Sequence, residues 1–205
     1  LSDWRGVFLV LAVATLAVAG LLMAMAPDKH DPGPAEDLGT QVDGLLRAVR
    51  SPAFIALAPL SVAAQGTFLS IQGLWSGPWL GDVAGLDRAA TADVLFVVAA
   101  TMAAGYLGMG ALAERLGRIG VPTVAVYLAA NAAFMVVTLT LALGWTGAPA
   151  LQWALFGLFG AGGVLPYAIL GQTFPLKLVG RANAGMNLLV FIMAFAAQWG
   201  IGLVV

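Results

Sequence analysis

Six stretches of this chain are long and apolar enough to cross a lipid bilayer, and that feature leaves very few folds open. A helix needs about 20 residues to span the hydrocarbon layer. The stretches are Gly6–Met25, Pro52–Trp75, Thr91–Ala113, Val121–Leu143, Ala150–Thr173 and Ala182–Val205. No water reaches the bilayer core, so every backbone N–H and C=O must find a partner within the protein. Only helices and closed barrels achieve this. Barrel strands alternate apolar and polar residues, whereas these runs are apolar throughout. The expected fold is therefore all-α, a polytopic membrane helix bundle with six transmembrane helices. Charged residues make up 9% of the 205-residue chain, against roughly 25% in a soluble domain. That is too few to cover a water-facing surface.

Basic residues orient the spans. Lys29, Arg47 and Arg50 follow the first span, Arg115 and Arg118 follow the third, and Lys177 and Arg181 follow the fifth. All seven fall on one side, and only Arg5 and Arg88 fall on the other. Under the positive-inside rule the seven-residue side is cytoplasmic, and both ends of the chain are extracytoplasmic. The first residue is Leu and the last residues stop within an apolar run, so the sequence reads as truncated at both ends.

Several kinds of chemistry are disfavoured. A net charge of −1 argues against nucleic acid as a partner. There is no cysteine, and the one histidine, His30, lies in a polar loop. No metal site and no cofactor is expected. No span carries an Asp, Glu, Lys or Arg at its middle, and Asp93 and Glu114 lie near span ends. An intramembrane enzyme would need a nucleophile with its base, or a metal pair, inside the spans. The chain is thus expected not to be an enzyme. Nothing matches a nucleotide-binding Gly-x-x-x-x-Gly-Lys-Ser/Thr loop either.

Residues 26–51 differ from the rest. Pro27, Pro32, Gly33 and Pro34 mark a polar linker. Beyond it, Leu38, Val42, Leu45, Leu46 and Val49 share a helical face, with Asp43 and Arg47 at i, i+4 on the polar side. This pattern predicts a short amphipathic helix lying on the membrane surface.

Between the third and fourth spans runs Gly110-Ala-Leu-Ala-Glu114-Arg115-Leu-Gly117-Arg118. It is expected to be a tight charged turn. Gly110 would allow close helix approach, Gly117 would supply a positive φ, and Glu114 would pair with Arg115 or Arg118. The run resembles the Gly-x-Leu-Ala-Asp-Arg-x-Gly-Arg loop of the major facilitator superfamily, with Glu114 in place of Asp. Trp4-Arg5, Phe174-Pro175 and Gly180-Arg181-Ala182 also look like that family. Members have two six-helix halves joined by a long cytoplasmic loop. Here the long linker follows the first span and the charged loop follows the third. By resemblance, residues 1–25 are then the last helix of the preceding N-terminal half, and 26–51 are the linker between halves. Residues 52–205 are five of the six helices of the C-terminal bundle, so the chain looks like helices six to eleven.

The resemblance implies secondary active transport of a small solute by alternating access, in the bacterial inner membrane. The bilayer and the missing N-terminal half are the implied partners. The alternative is a non-transporting receptor or scaffold that kept the fold. Bare amides are costly in lipid, so Gln65 and Gln72, which share a face with Ser61, Phe68 and Trp75, must face other helices or a wet cavity. Asn187 and Gln198 share a face with Asn183, Phe191 and Ala194. The helix that carries Gln65 and Gln72 borders the family's central cavity. The candidate solute-binding residues are therefore Gln65, Gln72, Trp75, Tyr167, Asn187 and Gln198. Gly162, Gly163 and Pro166 weaken the fifth span and form a candidate hinge. Asn131 is expected to be a helix–helix contact, Asn183 a helix cap, and Trp145 and Trp153 interfacial anchors.

Overall fold

The protein is described by a computed structural model covering residues 4–25 and 37–204. All of the described regular structure is helical, and six helices are long and apolar enough to span a membrane. The chain divides into two units, Leu1–Leu38 and Gly39–Val205. The first contains α1, Trp4–Met25. Within this apolar helix the Thr15 hydroxyl donates to the Leu11 carbonyl at 2.8 Å, which satisfies it without water. The Pro- and Gly-rich linker expected over 26–36 lies outside the described residues.

The second unit carries the surface helix α2 (Leu38–Val49) and five spans: α3 (Pro52–Val83), α4 (Arg88–Gly117), α5 (Thr123–Ala142), α6 (Pro149–Thr173) and α7 (Leu176–Val204). Three of the connecting turns contain a glycine at positive φ: Gly85 at 67°, Gly120 at 88° and Gly144 at 66°. Only glycine adopts this conformation without strain. The Ser51 hydroxyl caps α3 by accepting from the Phe54 N–H at 3.2 Å, and Pro52 fills the first turn. The Asp87 carboxylate caps α4 through the Ala90 N–H at 2.8 Å.

Several sequence expectations are corrected here. The charged run 110–118 is not a turn, because α4 stays helical through Gly117. The positive φ belongs to Gly120, and the space beside Gly110 is open, so Gly110 allows no close approach. Charges end a membrane span but do not end a helix, and α4 continues past the apolar zone. The expected pairing is present: Glu114 bonds Arg118 at 2.7 Å along the last turn, with both side chains exposed. The second span is also longer than expected. It passes through Gly77-Pro78 to Val83 by way of two π turns, Ile71–Trp75 and Trp79–Val83. A widened hydrogen-bond ladder absorbs the proline that would otherwise end the helix.

The expected helix α2 is present and is docked on the bundle. Gly44 and Ala48 are buried. A Cβ at Gly44 would collide with the Arg181 side chain, and one at Gly185 of α7 would stand 2.7 Å from Val49 Cγ1. Two small residues one turn apart thus let α2 sit close against the start of α7. Asp43 and Arg47 are exposed and form no ion pair with each other.

Burial is concentrated at three places. One is an aromatic core: Phe156 lies 5.3 Å from both Phe68 and Phe134 and 5.1 Å from Trp153, ring to ring. A second gathers Ala48, Phe54, Ala182 and Met186 under α2. A third joins Met109, Tyr127 and Leu165. In lipid, such packing rather than the hydrophobic effect holds helices together.

Candidate functional site

The sequence-predicted site residues fall into three groups. The first surrounds an interruption in α6. This span is α-helical to Gly160, forms a 3-10 turn over Ala161–Val164, and resumes as α-helix from Leu165. Pro166 sits in the first turn of the resumed helix, where its missing N–H does no harm. The candidate hinge residues Gly162, Gly163 and Pro166 therefore lie in the break or directly beside it. Neighbouring spans press into its glycines. The Phe68 ring fills the place of a side chain at Gly160, and the Gln65 carboxamide does the same at Gly163. A Cβ at Gly162 would stand 2.9 Å from the Ala130 methyl.

Beside this break, α3 and α5 share buried hydroxyls. The Ser61 and Tyr127 oxygens are 2.9 Å apart. Asn131 turns its amide nitrogen to the Tyr127 carbonyl of its own helix, at 3.0 Å, while its side chain lines a small cavity with Ser61 and Gln65.

The second group joins α6 to α7. The Tyr167 hydroxyl donates to Asn187 Oδ1 at 2.5 Å. The third group lies along the far half of α3. Gln72 and Trp75 belong to the first π turn. The Gln198 amide lies 3.7 Å from where a Cβ at Gly73 would stand, and the Trp75 ring lies 3.5 Å from the same point at Gly202. The Gln72 carbonyl accepts the Ser76 hydroxyl at 2.9 Å. Among the described residues no hydrogen bond joins one group to another.

Some residues sit elsewhere than expected. Trp153 is fully buried in the aromatic core, 5.7 Å from Trp79, so it is not an interfacial anchor. A tryptophan near a span end reads as an anchor only when no neighbouring span covers it. Asn183 does not cap α7, which begins at Leu176, and its Oδ1 is buried without a partner. Phe191 is exposed while Ala194 is buried, so the face expected to unite them is split.

Sequence reasoning overlooked two polar residues, Tyr127, which bonds Ser61, and Gln152, which reaches Thr140 at 2.7 Å to tie α6 to α5. The available signal was the i, i+4 spacing of Tyr127 and Asn131 inside an apolar span. Chemically, the spans present hydroxyls, carboxamides and indoles, which recognise a solute through neutral hydrogen bonds and stacking.

The sequence profile of the Major Facilitator Superfamily matches residues 1–202. No curated protein and no solved structure matches the chain. The family match covers nearly the whole sequence, and six apolar helices of spanning length agree with it. The chain belongs to the Major Facilitator Superfamily, as an integral, multi-pass membrane transporter.

Proposed function

We propose that the chain moves a small solute by secondary active transport with alternating access, as the C-terminal half of a two-half carrier together with one preceding helix. In this reading residues 1–25 close the N-terminal half, 26–51 link the halves, and 52–205 form five helices of the second half. The basic end faces the cytoplasm, and the membrane is a bacterial inner membrane. One observation carries the reading. Midway along α6, a 3-10 turn lies beside the Gln65 carboxamide of α3, with the Tyr167–Asn187 pair just beyond it. Broken helices near the bilayer midplane are where carriers of this general kind hold solute and change access. Gln65, Gln72, Trp75, Tyr167, Asn187 and Gln198 are the proposed solute contacts. Coupling by a titrating carboxylate would fall to the other half, because no charge sits at mid-span here.

Flux assays on the full-length protein in proteoliposomes test this. Tyr167→Phe removes the proton shared with Asn187 while keeping the ring. The KM for the transported solute should rise severalfold, with protein abundance unchanged. An unchanged KM for both Tyr167→Phe and Asn187→Ala would remove this pair from the solute site. Solute binding without flux would instead favour a receptor that kept the transporter fold. The tight filling of Gly160 and Gly163 suits such a static reading of the break.

A further inference from the structure

Two spans contribute polar side chains, and a third contributes glycines, to one cavity of about 10 Å³ beside the 3-10 turn of α6. Ser61 and Gln65 come from α3, Tyr127 and Asn131 from α5, and Gly160 and Gly163 from α6. The protons in this cluster can be assigned. The Ser61 hydroxyl donates to the Leu57 carbonyl at 2.9 Å, so in its contact with Tyr127 the tyrosine is the donor. Asn131 Nδ2 is committed to the Tyr127 carbonyl. That leaves Asn131 Oδ1 and both ends of the Gln65 carboxamide with no protein partner among the described residues. Asn131 is only 6% exposed. An amide oxygen held there without a hydrogen bond is destabilising. A single water needs about 10–15 Å³ and two to four polar partners. The cavity meets both conditions.

We infer that this cavity holds one ordered water molecule, which accepts from Gln65 Nε2 and donates to Asn131 Oδ1. The water gives each of two carboxamides a partner beside the 3-10 turn. It is therefore part of the break, as fixed as the side chains around it. A cation is the poorer occupant, since no carboxylate lines the space. The inference rests on the geometry of the break and stands whether or not the chain transports solute.

A structure of the full-length protein in nanodiscs, at a resolution that shows ordered solvent, tests it. The expected result is one solvent peak within hydrogen-bond distance of Asn131 Oδ1 and the Gln65 amide. A second map, of Asn131→Leu, should lose that peak, because the side chain keeps its size but not its acceptor. A third, of Ser61→Ala, should keep it, since the serine proton is already committed to Leu57. An empty cavity in the unmodified protein would overturn the inference, as would a peak ringed by five or more oxygens at cation distances. Persistence of the peak in Asn131→Leu would overturn it as well. If that variant does not fold, the unmodified map and Ser61→Ala decide alone.

Discussion

Gly163 and Gln65 compete for the same volume, since the carboxamide lies where a Cβ on residue 163 would stand. Gly163→Ala should therefore destabilise the bundle by about 1–3 kcal/mol, the usual range for one extra methyl group in a filled core. The thermal midpoint in nanodiscs is the readout. Introducing Gln65→Ala beside it should return most of that loss, so the two changes should be non-additive. Full additivity would mean that the glycine is needed for its backbone and not for its lack of a side chain. Glu114 is the opposite case. Its bond to Arg118 is short but lies in the open, with side-chain exposures of 68% and 74%. Such a pair contributes at most about 1 kcal/mol. Glu114→Gln should leave the thermal midpoint nearly unchanged. If the residue holds a contact to the other half, as the family resemblance implies, the same variant should alter distances measured spectroscopically between the halves. Equal distance distributions would reduce the pair to a local brace at the end of α4.

Among the elements, α2 is the one whose placement matters most. Its Gly44 and Ala48 side seats on α7 around Arg181 and Gly185, while Val42 remains exposed. Gly185→Leu should lever α2 away, because Val49 and Leu45 already occupy the space. Trypsin should then cut after Arg47 or Arg50 faster than in the unmodified protein. An equal cleavage rate would show that α2 is held by something other than this contact. The sequence could be read for the spans but not for this docking, and the reason is physical. A span announces itself through about 20 successive apolar residues, whereas a docked helix and a floating amphipathic helix share one pattern. Which side of α2 meets protein depends on Gly44 and Gly185, which are far apart in the chain. The π turns of α3 were hidden in the same way, since Gly77-Pro78 looks like a stop unless the ladder widens to accept it. The candidate site was legible as residue types, because bare amides in lipid demand partners. Its division into three groups was not, because that depends on where α6 breaks and how α7 turns against α3.

For the whole molecule, alternation of short turns places Asp82 and Ile119 at opposite ends of the spanning bundle. The chain has no cysteine, so single cysteines at these two positions can be labelled without background. Membrane-impermeant reagent should reach one from each side, with residue 119 cytoplasmic. Labelling of both from one side would overturn the topology. The bundle also couples its far end to its core through one aromatic contact. Trp79 donates its indole proton to the Leu141 carbonyl at 3.1 Å and meets Trp153 edge-on, ring centres 5.7 Å apart at 65°. Two indoles so close and so steeply inclined exchange excitation, and their ultraviolet circular dichroism becomes chiral as a pair. The second π turn of α3, where Trp79 sits, thus carries an unlabelled optical gauge of its own position. Any rearrangement that draws this turn away from α6 should diminish the paired signal, and Trp79→Phe should abolish it. A spectrum indifferent to that substitution would mean that the two rings do not stay together in the membrane.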